Sequence, residues 1–146
     1  MPGQNNRIAK NVENAWQYSK VFEEHLTDDW PNEHWFKWAN EGFNNYRAVR
    51  YPMGKGAKPE YSFWNGERLN FTEARREIYL PMYKQAVEKT EAFQKLKEIY
   101  DQGDVALRDF DGYRHDLLGM DYEDVINSEK TLGHSFVLAM LLEGKL

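Results

Sequence analysis

The chain has 146 residues, 24 acidic against 19 basic side chains for a formal charge of −5, and no cysteine. That length favours one domain large enough to bury a core, and the missing thiols exclude a disulfide scaffold, a thiolate zinc site and thiol catalysis. No apolar run approaches the ~20 residues of a membrane span and the N-terminus lacks a signal-peptide core, so a cytoplasmic protein is expected, the host cytoplasm if phage-encoded.

Aromatic residues make up 15% of a chain whose mean hydropathy is only −0.84. Large rings therefore carry a core that short aliphatic side chains do not supply, each burying ~150–250 Å². Residues 1–11 are polar and aperiodic and read as an arm ahead of a single globular domain over 12–146. From Val12 the spacing of Ala15, Trp16, Ser19 and Phe22 predicts a helix to about His25, with Asn11 as its cap. A second helix is expected from Pro31, carrying Trp35, Trp38 and Ala39, with Gly42 near its end.

Residues 44–59 hold two prolines and two glycines and read as a loop. Asn65-Gly66, set between short aromatic and polar runs, predicts a β-hairpin, because both turn positions require positive φ. Asn70 and Glu73 have capping-box spacing and open a long helical region that Pro81 should end or kink. A further helix runs through Phe93, Leu96, Ile99 and Tyr100 to a stop at Gly103. Val105–Phe110 reads as a core strand turning at Asp111-Gly112; a short helix is expected at Tyr122–Asn127 and a buried one over Ser135–Leu142. The expected class is α+β: a helix-rich domain with a small sheet or hairpin.

Three polar clusters are candidates for chemistry. Between Gly42 and Pro59 there are four cations (Arg47, Arg50, Lys55, Lys58) and no acid, while Gly54 and Gly56 allow backbone N–H groups to approach an anion. The alternative is a solvated loop paired with acidic helices. On an extended strand Asp109 and Asp111 would share one face, placed to orient a ribose hydroxyl, hold a cation or act as a general base; the alternative is local capping in an Asp-Gly turn. His134 and Ser135 open the last helix, where free N–H groups suit an anion or need only a cap. His25 and His34 fit no metal-ligand spacing, and neither a metal nor a cofactor is expected. Tyr46 and Tyr51, beside Arg47 and Arg50, would stack on a nucleobase only if exposed.

The segments Asn14–Phe22, Arg50–Gly56 and Gly133–Ala139 together resemble a set of small uncharacterised proteins carried by phages and bacteria. More remotely, the helix bearing Trp16, Gln17, Lys20 and Phe22 is similar to the signature helix of the NADAR superfamily. There a helix with an aromatic, a Gln and a Lys lines a pocket for an N-glycosidically linked ribose derivative. This resemblance implies that Trp16, Gln17 and Lys20 face a nucleotide-like ligand, Lys20 holding a phosphate. Read from the residues alone, Trp16 equally suits the core with Lys20 extended past it.

The expected function is binding of a nucleotide or ADP-ribose-like ligand, with cleavage or transfer at an N-glycosidic bond. In that reading Asp109 or Asp111 engages the ribose or the cationic sugar, and Arg47, Arg50, Lys55, His134 and Ser135 meet phosphate. The alternative is a non-enzymatic phage accessory protein that binds a host protein or sequesters a signalling nucleotide. Single-stranded nucleic acid on residues 44–59 is a third reading, and no membrane partner is expected.

Overall fold

The computed structural model describes residues 9–109 and 111–146, so most of the expected arm over 1–11 lies outside the described residues. The class is α+β: about half of the chain is helical, with one three-stranded and one two-stranded antiparallel sheet. The chain divides into two compact units, the first ending at Tyr79 and the second running Leu80–Leu146.

In the first unit Asn11 caps α1 (Val12–Tyr18), its side chain accepting from Asn14 N at 2.8 Å. The helix stops at Tyr18 rather than near His25. The Ser19 hydroxyl donates to the Trp16 carbonyl, and the chain leaves the helix as β1 (Lys20–Val21). Tertiary pairing overrides the helical spacing here, because β1 pairs with β4 (Tyr61–Trp64), Lys20 opposite Ser62 and Val21 opposite Tyr61. A short 3₁₀ turn (Glu23–His25) leads into a tight ribbon, β2 (Leu26–Thr27) against β3 (Trp30–Pro31). Asp28 and Asp29 form its two-residue turn with φ of 51° and 66°.

Helix α2 (Glu33–Asn44) starts two residues later than Pro31, because Asn32 caps it and Pro31 is paired in β3. The predicted hairpin is present: β4 returns as β5 (Glu67–Leu69) through Asn65 and Gly66, at φ 51° and 79°. The sheet order is β1-β4-β5. Trp35, fully buried, donates its indole N–H to the Lys20 carbonyl at 2.9 Å and meets Phe63 edge-on, which ties α2 to the sheet. Ala15, Val21, Ala39, Phe43, Leu69, Ala74 and Ile78 are also buried in this unit.

Asn70 and Glu73 form the expected reciprocal box at α3 (Phe71–Ala74). Arg75–Tyr79 then winds as a wider π turn. Pro81 does not end a helix. It is the second residue of α4 (Leu80–Val87), which follows the π turn without a break. In the second unit Thr90 caps α5 (Glu91–Gln102), Asp121 and Asp124 cap α6 (Tyr122–Asn127) reciprocally, and α7 spans His134–Leu142. Leu80, Phe93, Val125, Ile126, Phe136, Val137 and Met140 are its buried apolar residues.

The expected strand at Val105–Phe110 is not formed. Residues 104–109 have no regular structure and Phe110 lies outside the described residues. The alternation seen in the sequence reflects half-buried side chains along a coil, not a sheet face.

Candidate functional site

Asp109 reaches α7 through this coil, and its Oδ2 accepts from Ser135 N at 3.2 Å. The N-terminus expected to meet an outside anion therefore already meets one from its own chain, a carboxylate placed where the helix dipole is positive. Gly133, the residue before α7, is buried against the pair: a Cβ there would overlap the Asp109 carboxylate and lie 3.0 Å from the Asp111 Cβ. Asp109 and Asp111 thus share a neighbour without sharing a strand. Tyr83 lies close by, its ring 4.9 Å from that of His134; burial, and then the Asp109 charge, push its hydroxyl above the ordinary tyrosine range.

A cavity of about 750 Å³ opens beside Asp109 and Ser135 within the second unit. Its size falls in the range of ~300–1,000 Å³ typical of small-molecule sites. Tyr100, Tyr113, His115, Tyr122 and Phe136 supply aromatic surface, and Arg108 and Arg114 stand against the carboxylates of Asp109, Asp116 and Glu143. His115 stacks on Tyr122 at 5.1 Å, and Tyr113 packs on Phe136 at 4.8 Å. Burial, then a hydrogen bond with Glu143, hold the Tyr122 hydroxyl above its usual range. The Tyr113 hydroxyl is buried and has no hydrogen-bond partner, a polar atom inside an aromatic wall. Arg114 binds Asp116 through two hydrogen bonds of 2.9 and 2.6 Å, which bring the Asp116 carboxyl down to about 2. Neither Asp111 nor His134 is part of the cavity lining.

In the first unit Trp16, Gln17 and Lys20 come together. Lys20 Nζ donates to Gln17 Oε1 at 2.9 Å and sits 5.3 Å from the centre of the Trp16 ring. Gln17 Nε2 in turn donates to Glu13 Oε1 at 3.0 Å. Burial lowers the Lys20 ammonium from its ordinary value, and the Glu13 charge partly restores it. Trp16 is flanked by Tyr79 at 5.4 Å and Phe71 at 6.3 Å, while buried Arg75 lies 4.1 Å over Phe71. Arg47, Arg50 and Lys55 are exposed on the loop after α2, with Gly54 and Gly56 at φ of 97° and 90°.

The candidate residues therefore form an Asp109–Ser135 pair at a cavity, a Glu13–Gln17–Lys20 chain beside Trp16, and a basic loop. The i, i+4 spacing of Glu13 and Gln17 was the signal for the missed member of the second group. Tyr113, Tyr122 and Glu143 carried no comparable signal, since tertiary packing alone brings them together.

Among the described residues no group of three or more His, Asp or Glu side chains is placed to hold a metal ion, and no helix is long and apolar enough to cross a membrane. A family model matches residues 1–138, that of a family of unknown function, DUF6939. No curated protein and no solved structure matches the chain.

Proposed function

The chain belongs to the DUF6939 family, and we propose that this protein binds a nucleotide or ADP-ribose-like ligand in the cavity beside Asp109 and acts at its N-glycosidic bond. The observation that carries this reading is the make-up of that cavity: aromatic faces for a base, Arg108 and the Asp116-paired Arg114 for phosphate and, of its three carboxylates, Asp109 fixed at the N-terminus of α7, in a single space of about 750 Å³. Breaking the C1′–N bond sends its electron pair to the departing base, and water adds to C1′ while its proton passes to the base or solvent. The sugar is cationic as the bond breaks, and the Asp109 carboxylate, fixed by Ser135 N–H, supplies the opposing charge. The remote NADAR resemblance of the Trp16, Gln17 and Lys20 helix supports the same ligand class, and the wider resemblance supports a phage or bacterial protein acting in the cytoplasm.

Sequestration without turnover is the second reading. Its support is that Asp109 already serves α7, a stationary role that a binding protein would keep. Calorimetry and thermal shift with ADP-ribose, NAD and mononucleotides test the ligand class, and no binding of any of them at millimolar concentration overturns it. Mass analysis of recovered ligand separates the two readings: free base and the matching phosphorylated ribose mark cleavage, whereas stoichiometric unchanged ligand marks sequestration. Asp109→Asn keeps an oxygen for Ser135 N–H and removes the charge, so cleavage should fall at least 100-fold while the fold survives.

A further inference from the structure

The loop after α2 is held in place from beneath and presents its aromatic and basic side chains outward. Asn14, fully buried on α1, spends its whole amide on the loop. Its Nδ2 donates to the carbonyls of Asn45 (3.0 Å) and Arg47 (2.8 Å), and its Oδ1 accepts from Val49 N at 2.8 Å. Asn11 Nδ2 adds a bond to the Tyr46 carbonyl at 3.3 Å. Above these anchors Tyr46 is 82% exposed and Tyr51 47% exposed. Each ring has a cation at its face, Lys10 Nζ 5.2 Å from the Tyr46 centroid and the Arg50 guanidinium 5.5 Å from that of Tyr51. Arg47, Arg50, Lys55 and Lys58 are all exposed, and residues 42–59 contain no acid.

We infer that residues 45–58 form a binding platform for single-stranded nucleic acid, with Tyr46 and Tyr51 as stacking surfaces and the loop cations tracking the phosphates. Large rings left in water beside cations are what an unstacked base requires, because every base offers a π face and every linkage a negative charge. The buried Asn14 anchor fixes the loop backbone in advance, so less ordering cost falls on binding. A duplex is a poorer match: residues 45–59 contain no helix or strand to enter a groove, and paired bases hide their faces. The net negative charge of the chain, −5 with these four cations counted, limits the attraction to this segment and makes it strongly dependent on salt. The inference concerns the first unit only and stands or falls independently of the cavity in the second.

Fluorescence anisotropy of the full chain with labelled oligo-dT and oligo-U at low salt tests it. The expected result is binding to at least one strand, with log K falling against log salt at a slope of about −3 for four phosphate contacts. Tyr46→Ala with Tyr51→Ala should weaken binding about ten-fold or more at unchanged charge. Arg47→Ala with Arg50→Ala should weaken it and flatten the slope. Lys95→Ala with Lys97→Ala, on exposed positions of α5, removes the same charge and should leave affinity within two-fold. No anisotropy change with either strand overturns the proposal. So does equal loss in the α5 pair, equal affinity for duplex, or displacement by polyglutamate as effective as by unlabelled strand, since each would mark a polyanion effect without base stacking.

Discussion

Asp109 and Gly133 act as one unit, the carboxylate accepting from Ser135 N–H in space that only a glycine leaves open. Gly133→Ala should destabilise by about 1–3 kcal/mol in chemical denaturation, because its methyl group must displace that carboxylate and press on the Asp111 Cβ. Gly42 makes a parallel case on α2. A Cβ there would overlap the buried Tyr18 ring, so Gly42→Ala should cost a similar amount despite its better helix propensity. His25 is fully buried among Phe22, His34 and Trp38, with Nδ1 accepting from Phe22 N at 3.4 Å and Nε2 without a partner. Burial, then the neighbouring His34, lower its pKa below the ordinary 6.5. The unfolded chain then binds a proton that the folded chain refuses. Stability is complete above about pH 6.5 and declines as pH falls from there toward the lowered folded value. Melting temperature followed from pH 7.5 to 5 should show this decline, and His25→Gln should flatten it.

Elements form where local signals agree with pairing partners and shift where they do not. The Asn65-Gly66 turn, the Asn70–Glu73 box and the cap at Asn11 rest on the residues expected, because turn and cap chemistry is local. Asn70→Ala should therefore cost about 1 kcal/mol in denaturant titration. Helix α1 is shorter than its apolar spacing implies because Lys20 and Val21 gain a strand partner forty residues away in sequence, which no local window contains. Residues 105–109 show the reverse: a β-like pattern with no sheet to join. Asn14 belongs to this scale too, since its amide substitutes for regular structure in the loop over 45–49. Asn14→Ala should release that loop, read as faster amide exchange at Val49, and destabilise by about 3 kcal/mol through three lost buried bonds.

Across the whole molecule the charge is unevenly spread: a chain of net −5 carries an 18-residue window with four cations and no acid. Its pI of about 5.4 places the point of least mutual repulsion below neutrality. Light scattering should therefore show greatest self-association near that pH, with a dependence on protein concentration that the His25 melting profile lacks. Adding ADP-ribose at 100 times its dissociation constant should stabilise the folded chain by about 2.7 kcal/mol if the cavity reading holds.

By itself the sequence determined the α+β class, the hairpin, the principal caps, the aromatic core and the segregated basic loop, because these follow from spacing, turn chemistry and composition within short windows. Tertiary structure alone decided that Asp109 serves the N-terminus of α7, that Tyr113, Tyr122 and Glu143 share one cavity, and that Tyr46 and Tyr51 face water. Each of those depends on which distant segments meet and what they cover, and burial and contact at that range leave no periodic trace along the chain.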